Sequence, residues 1–435
     1  MAASLRPMAL SSSPSAQPGA VIGIDFGTTN SVVSRLAPDG TTRTLRHPMG
    51  DVFRSVLCFW SGPGAVPMHA AGPAAIEAYL DDPFDTRLIM SMKSYLAQRS
   101  FQETRILGRR FTLEELIATF LRALLAPFKD ELAAARIVVG RPVRFVGETA
   151  DDALGNQRLV AAFAMAGFAD VQVELEPAAA GHRFAMRLER PATVLVADFG
   201  GGTSDFSVLR FDPGPPRRVT PLGHAGVGVA GDAFDYRIMD NVVSPLLGKG
   251  GTYRVTETDL PVPPSWYANF SRWHLLSLMR TPRVLREISE VAALAAEPER
   301  LRQLIHLIED EASYTLYRAV SEAKVGLSRS EQARLDFRHG DFAVEATIAR
   351  ADFERWIAPE LAQIAAAVDA ALHDAGLAAS QVDHVFLTGG SSLVPAVRRL
   401  FESRFGVAAV DSGGEFVSVA EGLALMAAPD GDASR

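Results

Sequence analysis

A chain of 435 residues with 48% hydrophobic and 22% charged side chains has the make-up of a globular protein and is too long for one hydrophobic core. Its net charge of −8 offers no basic surface for nucleic acid or an anionic membrane. The single cysteine, Cys58, rules out a disulfide framework and argues against a thiolate zinc site; no HExxH motif and no run of apolar residues long enough to span a bilayer occurs.

Residues 1–19 are rich in Ser, Ala and Pro and lack the apolar core of a secretory signal. They read as a flexible tail, with a cytoplasmic location expected. From Val21 the chain runs VIGIDFGTTNSVVSRL: an apolar strand, Asp25-Phe26-Gly27, the small residues Thr28-Thr29-Asn30, then a second apolar strand. Short Gly-, Thr- and Asn-rich turns between β-branched runs read as hairpins. The pattern returns at residues 194–210, VLVADFGGGTSDFSVLR, where Asp198 matches Asp25 and Gly200 matches Gly27. There Gly201-Gly202 replace Thr28-Thr29, followed by Thr203 and a second acid, Asp205.

The repeat suggests a chemistry. Amides of a tight glycine-rich turn converge on a concavity suited to phosphate oxygens, and the threonine hydroxyls add donors. A carboxylate beside each turn would repel phosphate unless a cation stood between, and a largely hydrated Mg²⁺ meets that need. The expectation is therefore two facing hairpins with a polyphosphate and its metal between them, set against the plainer reading of two unrelated glycine turns.

Downstream, GVGVAG at residues 226–231 matches the dinucleotide pattern G-x-G-x-x-G, but no βαβ unit with a ribose-binding acid follows it. A glycine-rich helix entrance at Gly231-Asp232 facing a phosphate is the better reading. No P-loop occurs. A middle segment from residue 245 carries Trp266, Tyr267, Phe270 and Trp273 after a proline cluster; these could form a partner-binding surface or a local core beneath a loop. Glu297-Pro298 breaks one helix from the next, where Leu301, Leu304, Ile305 and Ile308 mark a buried face. Finally the strand Val385–Leu387 enters Gly389-Gly390-Ser391 and a helix with Pro395 in its first turn.

As an ordered set, IGIDFGTTNS, VVGRPVRF, LEPAAAG, DFGGGTSDFSV, GVAGDAFD and FLTGGSSLVP resemble the nucleotide-binding domain of the heat shock protein 70 family, within the actin-like ATPase superfamily. The chain looks closer still to the short bacterial chaperone-like proteins of the YegD type, which share GRPV and a long middle insertion. The resemblance implies an α/β, actin-like ATPase (ribonuclease H-like) fold: two lobes, each a mixed five-stranded sheet flanked by helices, around a nucleotide cleft. Lobe I would take residues 20–190 with an excursion at 50–118, and lobe II residues 191–427 with an excursion at 245–320, leaving 428–435 as a tail. No counterpart of the family's peptide-binding domain is expected after EGLALMAA.

It also implies roles. Asp25 and Asp198 would hold hydrated magnesium with Asp205 nearby. Gly27, Thr28, Thr29 and Asn30 on one turn, and Gly200, Gly201, Gly202 and Thr203 on the other, would hold phosphates. Lys93, in IMSMKSYLA, would reach the γ-phosphate and attacking water. Glu176, Asp198 or Asp205 would orient or deprotonate that water, with Pro142 and Glu176-Pro177 relaying nucleotide state. Gly231, Asp232, Lys324 and Ser328 would belong to the nucleotide-binding set, and Gly389, Gly390 and Ser391 would face the nucleoside. Departures from the family pattern fall around the base: Ser321 replaces a glutamate, Val325 and Leu393 stand at altered positions, and Phe416 or Val417 replaces a late aspartate. The implied activity is slow, Mg²⁺-dependent ATP hydrolysis by a chaperone-type switch. The alternatives are a nucleotide-sensing module that docks a protein through its aromatic insertion, and a small-molecule kinase of the same superfamily.

Overall fold

The computed structural model describes residues 20–426 apart from 38, 51–52, 63, 65, 83–84, 133–134, 146–149, 186–187, 214–217, 273–278, 311 and 413–417. Its framework is a pair of mixed sheets of the same design. In the first, the strands run Val171–Leu175, Arg136–Arg141, Val21–Phe26, Asn30–Leu36 and Thr42–Thr44, and Phe53–Arg54 adds a sixth beside Asn30–Leu36. In the second, the order is Arg218–Val227, Ser204–Asp212, Ala192–Phe199, His384–Thr388 and Val410–Ser412. Each sheet joins an antiparallel meander to two further parallel strands, the inner one paired with the first strand of the meander and the outer one paired with the inner. The near-continuous apolar runs VIGI and ATVLVA suit this position, because a central strand covered on both faces has no polar side to show.

Helices Glu176–Ala185 and Ser418–Met426 pack together between the sheets. Their Ala179, Ala180, Val419 and Leu423 share one buried cluster with Val21 and Val138 of the first sheet and Val194, Val196 and Phe386 of the second. A β-carbon at Gly422 would overlap the Ala179 carbonyl, and one at Gly23 would overlap that of Ala420. Small residues are thus what let these backbones approach. Helix Ser418–Met426 lies against strand Val21–Phe26, so the last described helix packs on the first sheet.

The expected excursion limits cut through continuous helices. Leu113–Leu125 runs past residue 118, its Leu116, Ile117, Phe120 and Leu121 buried in the first lobe's core, and starts in a capping box between Thr112 and Glu115. Ser313–Arg329 runs past residue 320 and carries Lys324 to the cleft. Hydrophobic periodicity did not stop at either border. In the middle segment Trp266, Tyr267 and Phe270 belong to the second lobe's core, and the Tyr267 hydroxyl donates to the Leu247 carbonyl at 3.0 Å. The partner-surface reading of these aromatics is therefore corrected, since burial leaves them no face to offer; Trp273 lies outside the described residues. Among the described residues no helix is long and apolar enough to cross a membrane.

Candidate nucleotide site

Strand alternation aims the two acids. Phe26 and Phe199 end their strands inside the cores at 0% and 1% exposure, so the residues before them, Asp25 and Asp198, point the other way. Both acids line a single cavity of about 1080 Å³ between the lobes, at the upper end of small-molecule sites. The two turns meet there. A β-carbon at Gly201 would overlap Thr29 Oγ1 and stand 3.6 Å from Thr29 Cβ, so the second turn lacks a side chain where the first keeps one. All the sequence-predicted site residues line this cavity except Gly202 and Asp205.

At the cavity floor the Lys93 ammonium donates to Glu176 Oε1 at 2.5 Å, and both side chains are buried. Lys93 rides on a short turn, Met92–Tyr95, entered through Ser91 in a left-handed conformation with φ of 47°. Burial alone would lower the Lys93 pKa, but the carboxylates of Glu176, Asp25 and Asp198 outweigh it and leave it raised. The acids move up. Asp25 lies well above the carboxylate range, first through burial and then through the charges of Glu176 and Asp198, with Lys93 opposing. Burial, then Glu176 and Asp205, push Asp198 to about 8.

These surroundings hold more carboxylate than cation, and a divalent ion would restore the balance. No cluster of three or more metal-ligating side chains exists among the described residues, so the donor set suits an ion that keeps its waters rather than a protein cage. Asp25 and Asp198 are the residues that could hold it. The glycine and threonine turns on either side supply backbone and hydroxyl donors for phosphate oxygens. The residues present fit magnesium and a polyphosphate.

Asp205 faces Asp198 across the second hairpin. Its Oδ1 accepts from the Val143 amide at 2.9 Å and from the Arg144 amide at 3.4 Å, and the residue is 2% exposed. Burial, then Glu176, raise it to about 7 against hydrogen bonds from Thr203 and Arg144. The segment that follows Pro142 thus caps Asp205 from the first lobe. It is a bridge between lobes.

The second lobe supplies the opposite wall. Lys324 donates to Asp235 Oδ2 at 2.7 Å and to the Gly231 carbonyl at 3.1 Å. The Asp232 amide, near the start of helix Gly231–Ile238, donates to the Gly201 carbonyl at 2.8 Å. The preceding strand, Arg218–Val227, is antiparallel to Ser204–Asp212, so G-x-G-x-x-G here belongs to no dinucleotide-binding βαβ unit. Gly389, at φ 84°, lies so close that a β-carbon would overlap the Phe199 carbonyl; its first task is to let this wall abut the second hairpin. Val325 and Leu393, 49% and 45% exposed, line the mouth with Ser321, while Phe416 and Val417 fall outside the described residues. Sequence reasoning missed Asp235 and Arg54. The acid could have been suspected from its place one helical turn after Gly231, whereas Arg54 gave no local signal.

Duplicated sheets, two helices packed between them and a cleft floored by paired acidic hairpins define a nucleotide-cleft protein of the actin-like ATPase class. Within it, the profile described as Hsp70 protein matches residues 85–252 and 294–429, more than half of the chain, and skips part of the middle insertion. The chain belongs to the Hsp70 family, whose members bind ATP and ADP. It is similar to chaperone protein DnaK of Thermotoga neapolitana, 26% identical over 94% of this chain and 59% of the relative. The protein of the same name from Thermotoga maritima is 27% identical over 94% and 59%. That from Thermus thermophilus is 27% identical over 88% and 57%. The chain therefore spans less than two thirds of the length of these relatives.

Proposed function

We propose that the chain is a chaperone-type switch that binds Mg²⁺·ATP between its lobes and hydrolyses it slowly. The observation that supports this reading best is the meeting of the two turns, Thr29 against Gly201, above a floor that holds Asp25, Asp198 and the Lys93–Glu176 pair. When bound, the nucleotide and its metal supply a cleavable phosphoanhydride and the charge the acids lack. Phosphoryl transfer depends chiefly on positioning and charge neutralisation. The turn amides and the hydroxyls of Thr28, Thr29 and Thr203 hold the phosphates, and Asp25 and Asp198 hold the hydrated ion. Lys93 places positive charge at the reacting end. Glu176 or Asp198 orients the water and takes its proton, while the Asp205 bridge ties the second hairpin to the Pro142 segment.

In this reading residues 20–190 and the last helix form one lobe, and the intervening chain, with residues 245–320 as its excursion, forms the other. Ligand contact with both favours the closed arrangement. Calorimetry with ATP, ADP and GTP, followed by a phosphate-release assay, tests it. Micromolar ATP binding is expected, with turnover lowered about 100-fold in Lys93→Ala and about 10-fold in Thr203→Ala. Equal rates in wild type and both variants would reject the assigned roles.

A further inference from the structure

Both lysines that line the cavity are already paired: Lys93 with Glu176 at 2.5 Å and Lys324 with Asp235 at 2.7 Å. A polyphosphate brings several negative charges into this acidic floor. Arg54, one of five described arginines that also line the cavity, stands apart from those two pairs. It lies on strand Phe53–Arg54, directly opposite Asn30 in the antiparallel register, and it lines the cavity half-buried. Its Nη1 donates to Asn30 Oδ1 at 3.2 Å, a neutral amide, and it forms no ion pair with any described carboxylate. Asn30 directly follows the Thr28-Thr29 turn, so this bond holds the guanidinium beside the phosphate donors of the first hairpin.

The acid that feels Arg54 belongs to the other lobe. Burial raises Asp235, Lys324 pulls it back, and Arg54 adds a smaller pull in the same direction. Asp235 Oδ1 is buried and has no hydrogen-bond partner in the cavity wall. The guanidinium thus reaches over the cleft instead of out to solvent.

Resting on the ATP-binding reading above, we propose that Arg54 is a phosphate-tail contact. From the first lobe, it donates to non-bridging oxygens of the bound polyphosphate and adds its positive charge to that of Lys93, which is already paired with Glu176. Arginine suits the task because its charge persists at all working pH values and its planar fork can engage two oxygens at once.

The test compares Mg²⁺·ATP, Mg²⁺·ADP and adenosine by calorimetry on wild type, Arg54→Ala, Arg54→Gln and Arg54→Lys, each checked for folding by its melting temperature. Loss of a charge-assisted hydrogen bond predicts ATP affinity about 10-fold weaker or more in the Ala and Gln variants, with adenosine affinity within about twofold of wild type. Lysine, which keeps the charge without the fork, should recover part of the loss. ATP binding within about twofold of wild type in Arg54→Ala and Arg54→Gln, or equal losses for ATP and adenosine, overturns the assignment. If Arg54→Ala does not fold, Arg54→Gln alone carries the comparison. Wild-type protein that fails to bind ATP would instead overturn the functional reading itself.

Discussion

The two hairpins are copies in outline and complements in detail. Each ends its first strand with an acid aimed at the cleft and a phenylalanine sunk in the core. The first then keeps Thr28 and Thr29, whereas the second has Gly201 and Gly202, and Thr29 occupies the space that Gly201 leaves empty. A second difference lies one strand further on. Asp25 faces Val32 across its hairpin, but Asp198 faces Asp205, which binds the first lobe's Val143 and Arg144 amides. A duplicated unit meets its twin only where the copies have diverged: one yields volume, and one gains a bond to the other lobe.

The buried acids of the second hairpin give the largest expected effect. Asp198, raised to about 8, and Asp205, raised to about 7, are more readily protonated in the folded chain than in the unfolded one. Their contribution to stability is therefore complete below pH about 4 and is lost as pH rises through 7 and 8, at up to about 1.4 kcal/mol per pH unit for each group. Urea denaturation of chelator-treated, nucleotide-free protein should show stability falling from pH 5 to pH 8, and Mg²⁺·ATP should flatten the slope. A level profile without metal would mean that the acids are already neutralised.

Next comes erasing the divergence in volume. Gly201→Thr makes the second turn resemble the first and forces two side chains into one space. Overpacking costs about 1–3 kcal/mol, so ATP affinity should fall by up to about 100-fold, and Thr29→Gly in the same chain should restore much of it. No recovery in the double variant would show that the turns do not share that space. The smallest effect is expected where the difference is a bond. Asp205→Val copies the Val32 position and strands the Val143 and Arg144 amides, at a cost of about 1–2 kcal/mol in chemical denaturation because removing a buried acid offsets part of the loss. Asp205→Asn keeps the acceptor and should cost less.

What the sequence revealed follows from range. The hairpins, the glycine strand at residues 385–390 and the break at Pro298 were legible because each is written within a few neighbouring residues. The bonds of Asp205 to the first lobe were not legible because its partners lie 62 and 61 residues away, and position in a motif does not show which segment will fold over it. Arg54 escaped notice because its link to Asn30 joins strands 24 residues apart. The aromatic segment was ambiguous for a related reason: Trp266, Tyr267 and Phe270 look alike as a docking face and as a core until the second lobe's helices are seen to cover them.

The claim beneath all of this is that turns from opposite lobes stand side by side with a polyphosphate between them. The 3.6 Å between Thr29 Cβ and the β-carbon position of Gly201 falls in the range for a disulfide, and the native Cys58 is buried. Thr29→Cys combined with Gly201→Cys should therefore cross-link under mild oxidation in the nucleotide-free protein, and Mg²⁺·ATP, but not adenosine, should slow that reaction. Failure of the two cysteines to join, or cross-linking indifferent to Mg²⁺·ATP, would contradict the account.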